Sequence, residues 1–141
     1  MVETNSTQFR VMIIEDSKVM RSMITSIVQS DKKFKVVAAA VNGKDALELL
    51  TSCKPDLILL DIEMPEMDGL EFMRHACLRT AAQVIILSSV AGAGSEKAAR
   101  ARALGAAAII GKPSGALSLD LKQKKGAEVI SLMNRLLSEQ D

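Results

Sequence analysis

Four apolar runs in this chain each end in residues that can do chemistry. Phe9–Ile14 is followed by Glu15-Asp16-Ser17, Leu57–Leu60 by Asp61, Gln83–Leu87 by Ser88-Ser89, and Ala107–Ile110 by Gly111-Lys112-Pro113. Leu57 to Leu60, bounded by Pro55 and a turn cluster, reads as a strand buried on both faces of a parallel sheet. Asp61 then stands at a carboxyl strand end, where open α/β sheets place ligands. Pro65 and Asp68-Gly69 break the chain directly afterwards. If the strand ends share one rim, Glu15, Asp16 and Asp61 repel one another and need a cation. Oxygen-only ligands suit Mg²⁺, which keeps several waters. Asp16 and Asp61 are the expected direct ligands, the backbone carbonyl of Glu63 a third, and Glu15 acts through water. With Asp61 as nucleophile, attack on phosphorus forms an acyl phosphate. Mg²⁺, the Lys112 ammonium and the Ser88 hydroxyl then neutralise the phosphoryl oxygens.

Each of these residues has a plainer reading. Glu15-Asp16 is also an acidic turn with Ser17 as helix cap, Asp61 a strand end, Ser88 a hydroxyl bonded to its own backbone, and Lys112 a solvated cation. The joint pattern at successive strand ends favours chemistry.

The elements that must position these groups follow from periodicity. Helix 1 is expected over 18–29, with Val19, Met20, Met23, Ile24, Ile27 and Val28 inward. Phe34–Ala40 is a strand, and Asn42 caps a helix over 43–52. The strand carrying Asp61 covers 56–61. Asp68 starts a third helix carrying Leu70, Phe72, Met73 and Cys77. After the Gln83–Leu87 strand, a loop containing Gly92 and Gly94 leads to a helix over 95–104, ended by Gly105 in a left-handed conformation. Strand 5 is 107–110 and the last helix 127–137. Strict βα alternation, repeated five times, implies a three-layer, doubly wound α/β fold with a five-stranded parallel sheet in the order 2-1-3-4-5.

Outside this domain, residues 1–8 read as a flexible tail and 138–141 as another. Residues 112–126 read as an extended, linker-like loop, long for such a connection. Leu117, Leu119 and Leu121 alternate with polar residues there and are expected to pack on a surface, whereas Lys122, Lys124 and Lys125 read as solvated.

Composition excludes several classes. The 141 residues are 48% hydrophobic, enough for one domain with a real core. A net charge of +1 gives no nucleic-acid footprint, and 2% aromatic residues leave little for base stacking. No apolar stretch is long enough to span a membrane, and the polar start lacks a signal-peptide core. Cys53 and Cys77 read as reduced, partly buried thiols, which points to the cytoplasm. The single histidine, His75, falls on the polar side of its helix and reads as a surface residue.

The chain resembles a response-regulator receiver domain over about residues 9–137. Glu15-Asp16, Asp61, Met64-Pro65 with Asp68-Gly69, Ser88 and Lys112-Pro113 carry the resemblance. It implies a flavodoxin-like receiver fold, Asp61 as phosphoacceptor, a histidine kinase as donor, a cis Lys112-Pro113 bond, and an output face on helix 4, strand 5 and the last helix. D-I-E-M-P-E-M-D-G-L, I-I-L-S-S and K-P-S-G-A-L-S-L-D-L resemble more narrowly the receiver half of the chemotaxis protein-glutamate methylesterases. That narrower match implies a chemotaxis-type kinase and, as output, a methylesterase domain. These 141 residues carry no G-x-S-x-G elbow. The chain is therefore either the regulatory part of a longer methylesterase or a stand-alone receiver, and no enzyme beyond its own phosphorylation and dephosphorylation. Two departures stand out. Glu15 replaces the family's usual Asp, and Ile109 stands where an aromatic switch residue is common.

Other classes fit less well. Aspartate-nucleophile, Mg²⁺-dependent phosphatases usually carry a second Asp two residues on, where Glu63 stands here, and a substrate cap. A flavodoxin-like cofactor binder needs a phosphate-cradling first loop, and Glu15-Asp16 would repel a phosphate.

Overall fold

Short β-branched and leucine-rich runs alternate with amphipathic segments, and the two periodicities sort the chain into strands and helices. The computed structural model describes residues 8–62, 69–88, 96–112 and 119–138, with side chains in the last stretch described from residue 123. The elements are β1 (Phe9–Ile14), α1 (Lys18–Gln29), β2 (Phe34–Ala40), α2 (Gly43–Cys53), β3 (Leu57–Asp61), α3 (Gly69–Ala76), β4 (Gln83–Ser88), α4 (Glu96–Ala103), β5 (Ala108–Gly111) and α5 (Leu119–Ser138). The strands form one parallel sheet in the expected order β2-β1-β3-β4-β5. No helix among the described residues is long and apolar enough to cross a membrane.

Alternate residues of the central strands feed two separate cores, because successive side chains point to opposite faces of a sheet. Met12, Ile14, Ile58, Leu60 and Ile86 pack with α2, α3 and α4 through Leu50, Phe72, Met73 and Ala101. Val11, Ile13, Leu57, Leu59, Ile85 and Leu87 pack with α1 and α5 through Ile24, Val28, Val129 and Met133. β3 is buried along its whole length, so its polar terminal residue, Asp61, is buried with it. Burying one such aliphatic side chain contributes roughly 1.5–3 kcal/mol. The site's backbone is therefore held by both cores.

The expected caps are present. Ser17 Oγ accepts from the Met20 amide at 3.2 Å, and Asn42 Oδ1 from the Asp45 amide at 2.8 Å. Gly105 has φ 110°.

α5 departs from expectation: it begins at Leu119, eight residues before the expected start, so 119–126 is helix rather than extended loop. Glycine costs about 1 kcal/mol in a helix, which weighs locally against a helix through Gly126. Here it is buried, and a Cβ on it would meet Ile27 Cγ1 at 3.4 Å. Its bare backbone lets α5 approach α1, and that packing outweighs propensity. The segment before it, 113–118, lies outside the described residues, as do the side chains of Leu119, Leu121 and Lys122. The leucine packing, the cis Lys112-Pro113 bond and the Asp68 helix start therefore fall outside the description.

Smaller differences have local causes. Cys77 is exposed rather than partly buried, because α3 ends at Ala76 and the chain turns away. Cys53 is half-buried. Val19 is 74% exposed although apolar, since it lies in the first turn of α1 beyond the sheet rim. His75 is exposed as expected.

Candidate functional site

Strand register carries the chemistry-bearing residues to one rim. Ile14 pairs with Leu60, Asp61 with Leu87, and Ser88 with Gly111. Glu15, Asp61, Ser88 and Lys112 thus stand at or just past the carboxyl ends of four neighbouring strands. The Lys112 amide donates to Ser88 O at 2.8 Å, and the Ile62 amide to Leu87 O at 3.2 Å, so the ladder continues to the rim.

The acidic turn is fixed from α1. The Ser17 amide donates to Glu15 Oε2 at 3.1 Å. Arg21 Nη1 donates to the backbone carbonyls of Glu15 at 3.0 Å and Asp16 at 3.4 Å. Sequence reasoning did not single out Arg21; its only signal is a cation one helical turn past an acidic pair. Glu15 and Asp61 are buried and Asp16 is exposed. One oxygen from each lies within 4.8 Å of the others.

Lys112 binds two of them. Its Nζ is 3.0 Å from Asp61 Oδ1 and 3.3 Å from Glu15 Oε1. Burial acts to lower the ammonium's pKa, but the hydrogen bond and charge of Asp61 outweigh it and leave the pKa raised. For Glu15, burial comes first and pushes the carboxyl up to about 7, against the Ser17 amide, with Asp61 repulsion adding to the rise and Lys112 opposing it. Fully ionised, three carboxylates and one ammonium leave two negative charges, at separations where each like pair costs about 4 kcal/mol near a protein surface. An all-oxygen cluster with surplus negative charge and one exposed member open to solvent has the donor chemistry of a divalent cation site. Ser88 Oγ is buried beside it with no hydrogen-bond partner among the described residues.

Gly69 supports Asp61 from behind. A Cβ there would lie 2.7 Å from Ile62 Cα and 3.0 Å from Asp61 O, both backbone atoms. The sequence shows it as half of a turn pair and as part of the motif that carries the family resemblance, without this contact. The site residues expected from sequence therefore converge, apart from Glu63, which lies outside the described residues.

The response regulator receiver domain model matches residues 11–135. A protein-glutamate methylesterase/protein-glutamine glutaminase of Halalkalibacterium halodurans is 42% identical over 117 residues, which is 83% of this chain and 34% of that protein. One from Syntrophomonas wolfei is 40% identical over 82% of this chain and 33% of its own length. The chain thus spans about a third of these relatives. Among solved structures, the response regulator domain of Thermotoga maritima CheB is similar with a TM-score of 0.81 and 32% identity, covering 91% of this chain and 95% of that one. A chain from the crystal structure of the P1 domain of CheA3 in complex with CheY6 from R. sphaeroides has a TM-score of 0.78 and 48% identity, covering 94% and 98%.

Proposed function

As the chain belongs to the response regulator receiver domain family, we propose that it is a Mg²⁺-dependent phosphorylation switch whose acceptor is Asp61. The observation that carries this reading is the convergence of Glu15, Asp16 and Asp61 within 4.8 Å, with Lys112 3.0 Å from Asp61. An Asp61 carboxylate oxygen attacks the phosphorus of a phosphohistidine. The new O–P bond forms as the P–N bond breaks, and the leaving imidazole nitrogen takes a proton from solvent. Lys112 holds Asp61 in place and offers its third hydrogen to an incoming phosphoryl oxygen. Ser88 donates its unpartnered hydroxyl to another. Asp16 and Asp61 directly, and Glu15 through water, would hold a Mg²⁺ ion, which would supply positive charge to offset carboxylate repulsion and phosphoryl charge.

The donor in this reading is a cytoplasmic, chemotaxis-type histidine kinase. The crystal structure of CheA3 P1 with CheY6 supports this. Phosphorylation draws Ser88 towards Asp61 and alters the face of α4, β5 and α5. The output it controls is a methylesterase domain, in keeping with relatives of which this chain covers a third. A second reading, a stand-alone receiver acting on a separate partner, is favoured by the 48% identity to a chain of which this one covers 98%.

Incubation with acetyl phosphate and Mg²⁺ separates a switch from a phosphatase. A switch forms one labile adduct per chain and turns over slowly. Rapid turnover of many equivalents, with no adduct, would overturn the proposal.

A further inference from the structure

We infer that Arg21 is a positioning residue for Asp16. By holding the backbone on both sides of it, Arg21 keeps the exposed member of the acidic cluster turned towards Asp61 and Glu15 rather than towards solvent; the role presupposes the reading of these three residues as a divalent cation site.

The acidic turn lies between a strand and a helix and belongs to neither. The Glu15 amide still donates to Ala40 O at 3.0 Å, continuing the ladder of β1. Helix α1 is capped only at Ser17. Among the described residues, neither the Glu15 nor the Asp16 carbonyl accepts from a strand or helix amide. Glu15 is buried, so its carbonyl needs a donor. Arg21 Nη1 supplies one at 3.0 Å and reaches Asp16 O at 3.4 Å. Ile24 and Val28, buried against the sheet, anchor the helix from which Arg21 extends.

These two carbonyls flank one Cα. That of Glu15 lies in the peptide plane before Asp16, and that of Asp16 in the plane after it. Each plane is rigid, so pinning both sets φ and ψ of Asp16 together, and with them the direction of its Cβ. The Asp16 carboxylate has reason to leave. It is exposed and two buried carboxylates repel it, yet one oxygen of each of the three lies within 4.8 Å of the others. Turning out to water would relieve the repulsion and scatter the cation's ligands. The Arg21 clasp opposes that turn.

The charge of Arg21 acts the other way. A guanidinium beside the cluster repels a cation, so removing its charge alone would tighten Mg²⁺ binding. Removing the clasp loosens binding, by about 10–100-fold for groups that orient a metal ligand without touching the metal. Salt and water screen the repulsion at a half-exposed side chain, so loss of the clasp prevails.

The test is Mg²⁺ titration calorimetry of Arg21→Met, which keeps the stem but removes donor and charge, beside amide NMR of the metal-free protein. The Mg²⁺ Kd should rise about tenfold or more. Without metal, the Asp16 and Ser17 amides should shift, while Phe72 and Val129 in the two cores stay in place and report an intact fold. Arg21→Lys, which restores a charged donor, should bind Mg²⁺ more tightly than Arg21→Met; a role through charge alone gives the reverse order. That reverse order, unchanged or tighter binding by Arg21→Met, or unmoved Asp16 and Ser17 amides overturns the positioning role. Asp16→Ala in the same titration separates the two levels. If it binds Mg²⁺ like the parent protein, the cation site itself lies elsewhere. If it loses binding while Arg21→Met does not, the positioning role alone fails.

Discussion

Lys112 Nζ stands 3.0 Å from Asp61 Oδ1, reaching from the end of β5 to the end of β3 across the intervening β4. The pair therefore spans β4, the strand that ends in Ser88. One ammonium also meets Glu15 at 3.3 Å, so it compensates two buried carboxylates. Removing it leaves both without that charge. Lys112→Ala should destabilise the metal-free protein by about 3 kcal/mol at pH 8, the scale for breaking a buried ion pair. The loss should shrink at pH 5, where carboxyl protonation relieves it. Urea unfolding at the two pH values measures this; equal stability to the parent protein at pH 8 would contradict it.

Glu15 gives the metal-free protein a pH dependence of definite sign. Its carboxyl is pushed up to about 7 in the folded state, chiefly by burial. A raised carboxyl binds its proton more tightly folded than unfolded. Its contribution to stability is therefore present at low pH and lost as pH rises. The window runs from 4.5 to about 7. Across it, the stability of the parent protein relative to Glu15→Gln should fall by up to roughly 3 kcal/mol. The measurement is urea unfolding in EDTA. A flat or rising difference would show that Glu15 is ionised throughout.

Asp16 is the exposed member of the cluster. Asp16→Ala should abolish Mg²⁺ binding and phosphorylation together. Stability without metal should stay equal or rise slightly, from relieved repulsion. Titration calorimetry with Mg²⁺ decides this; unchanged affinity would place the cation elsewhere.

Gly69 tests the backing of the site. The added methyl of Gly69→Ala would press on Ile62 Cα at 2.7 Å and Asp61 O at 3.0 Å. Backbone cannot yield as a flexible side chain does. A loss of about 1–3 kcal/mol is expected, the usual scale for overpacking, with slower acceptance of phosphate because Asp61 is displaced. Normal stability and labelling rates would mean the loop gives way freely.

The parts legible in the sequence were those with one dominant signal. The run from Leu57 to Leu60 has no polar residue, so only a doubly covered central strand suits it, and the rest of the sheet order follows from alternation. The rim residues were legible because each directly follows such a run. The start of α5 was not, because Gly126 and the Leu117–Leu119–Leu121 alternation both argue locally against helix, and only contact with Ile27 of α1 reverses that. Arg21 escaped notice, and the contact that Gly69 makes behind Asp61 was not legible, for a related reason. An arginine facing two carbonyls and a glycine facing a backbone are defined by what lies opposite, which no local pattern encodes. The cluster's charge balance likewise became visible only once Lys112 was seen to reach both Asp61 and Glu15.

The central claim is that Asp61 accepts the phosphoryl group. Intact-mass analysis after brief treatment with acetyl phosphate and Mg²⁺ tests it directly. The parent protein should gain the mass of a single phosphoryl group, which is lost again on standing and is not gained at all when EDTA is added before the donor. Asp61→Asn, which keeps the shape and removes the nucleophile, should gain nothing. Undiminished labelling of Asp61→Asn would contradict the account.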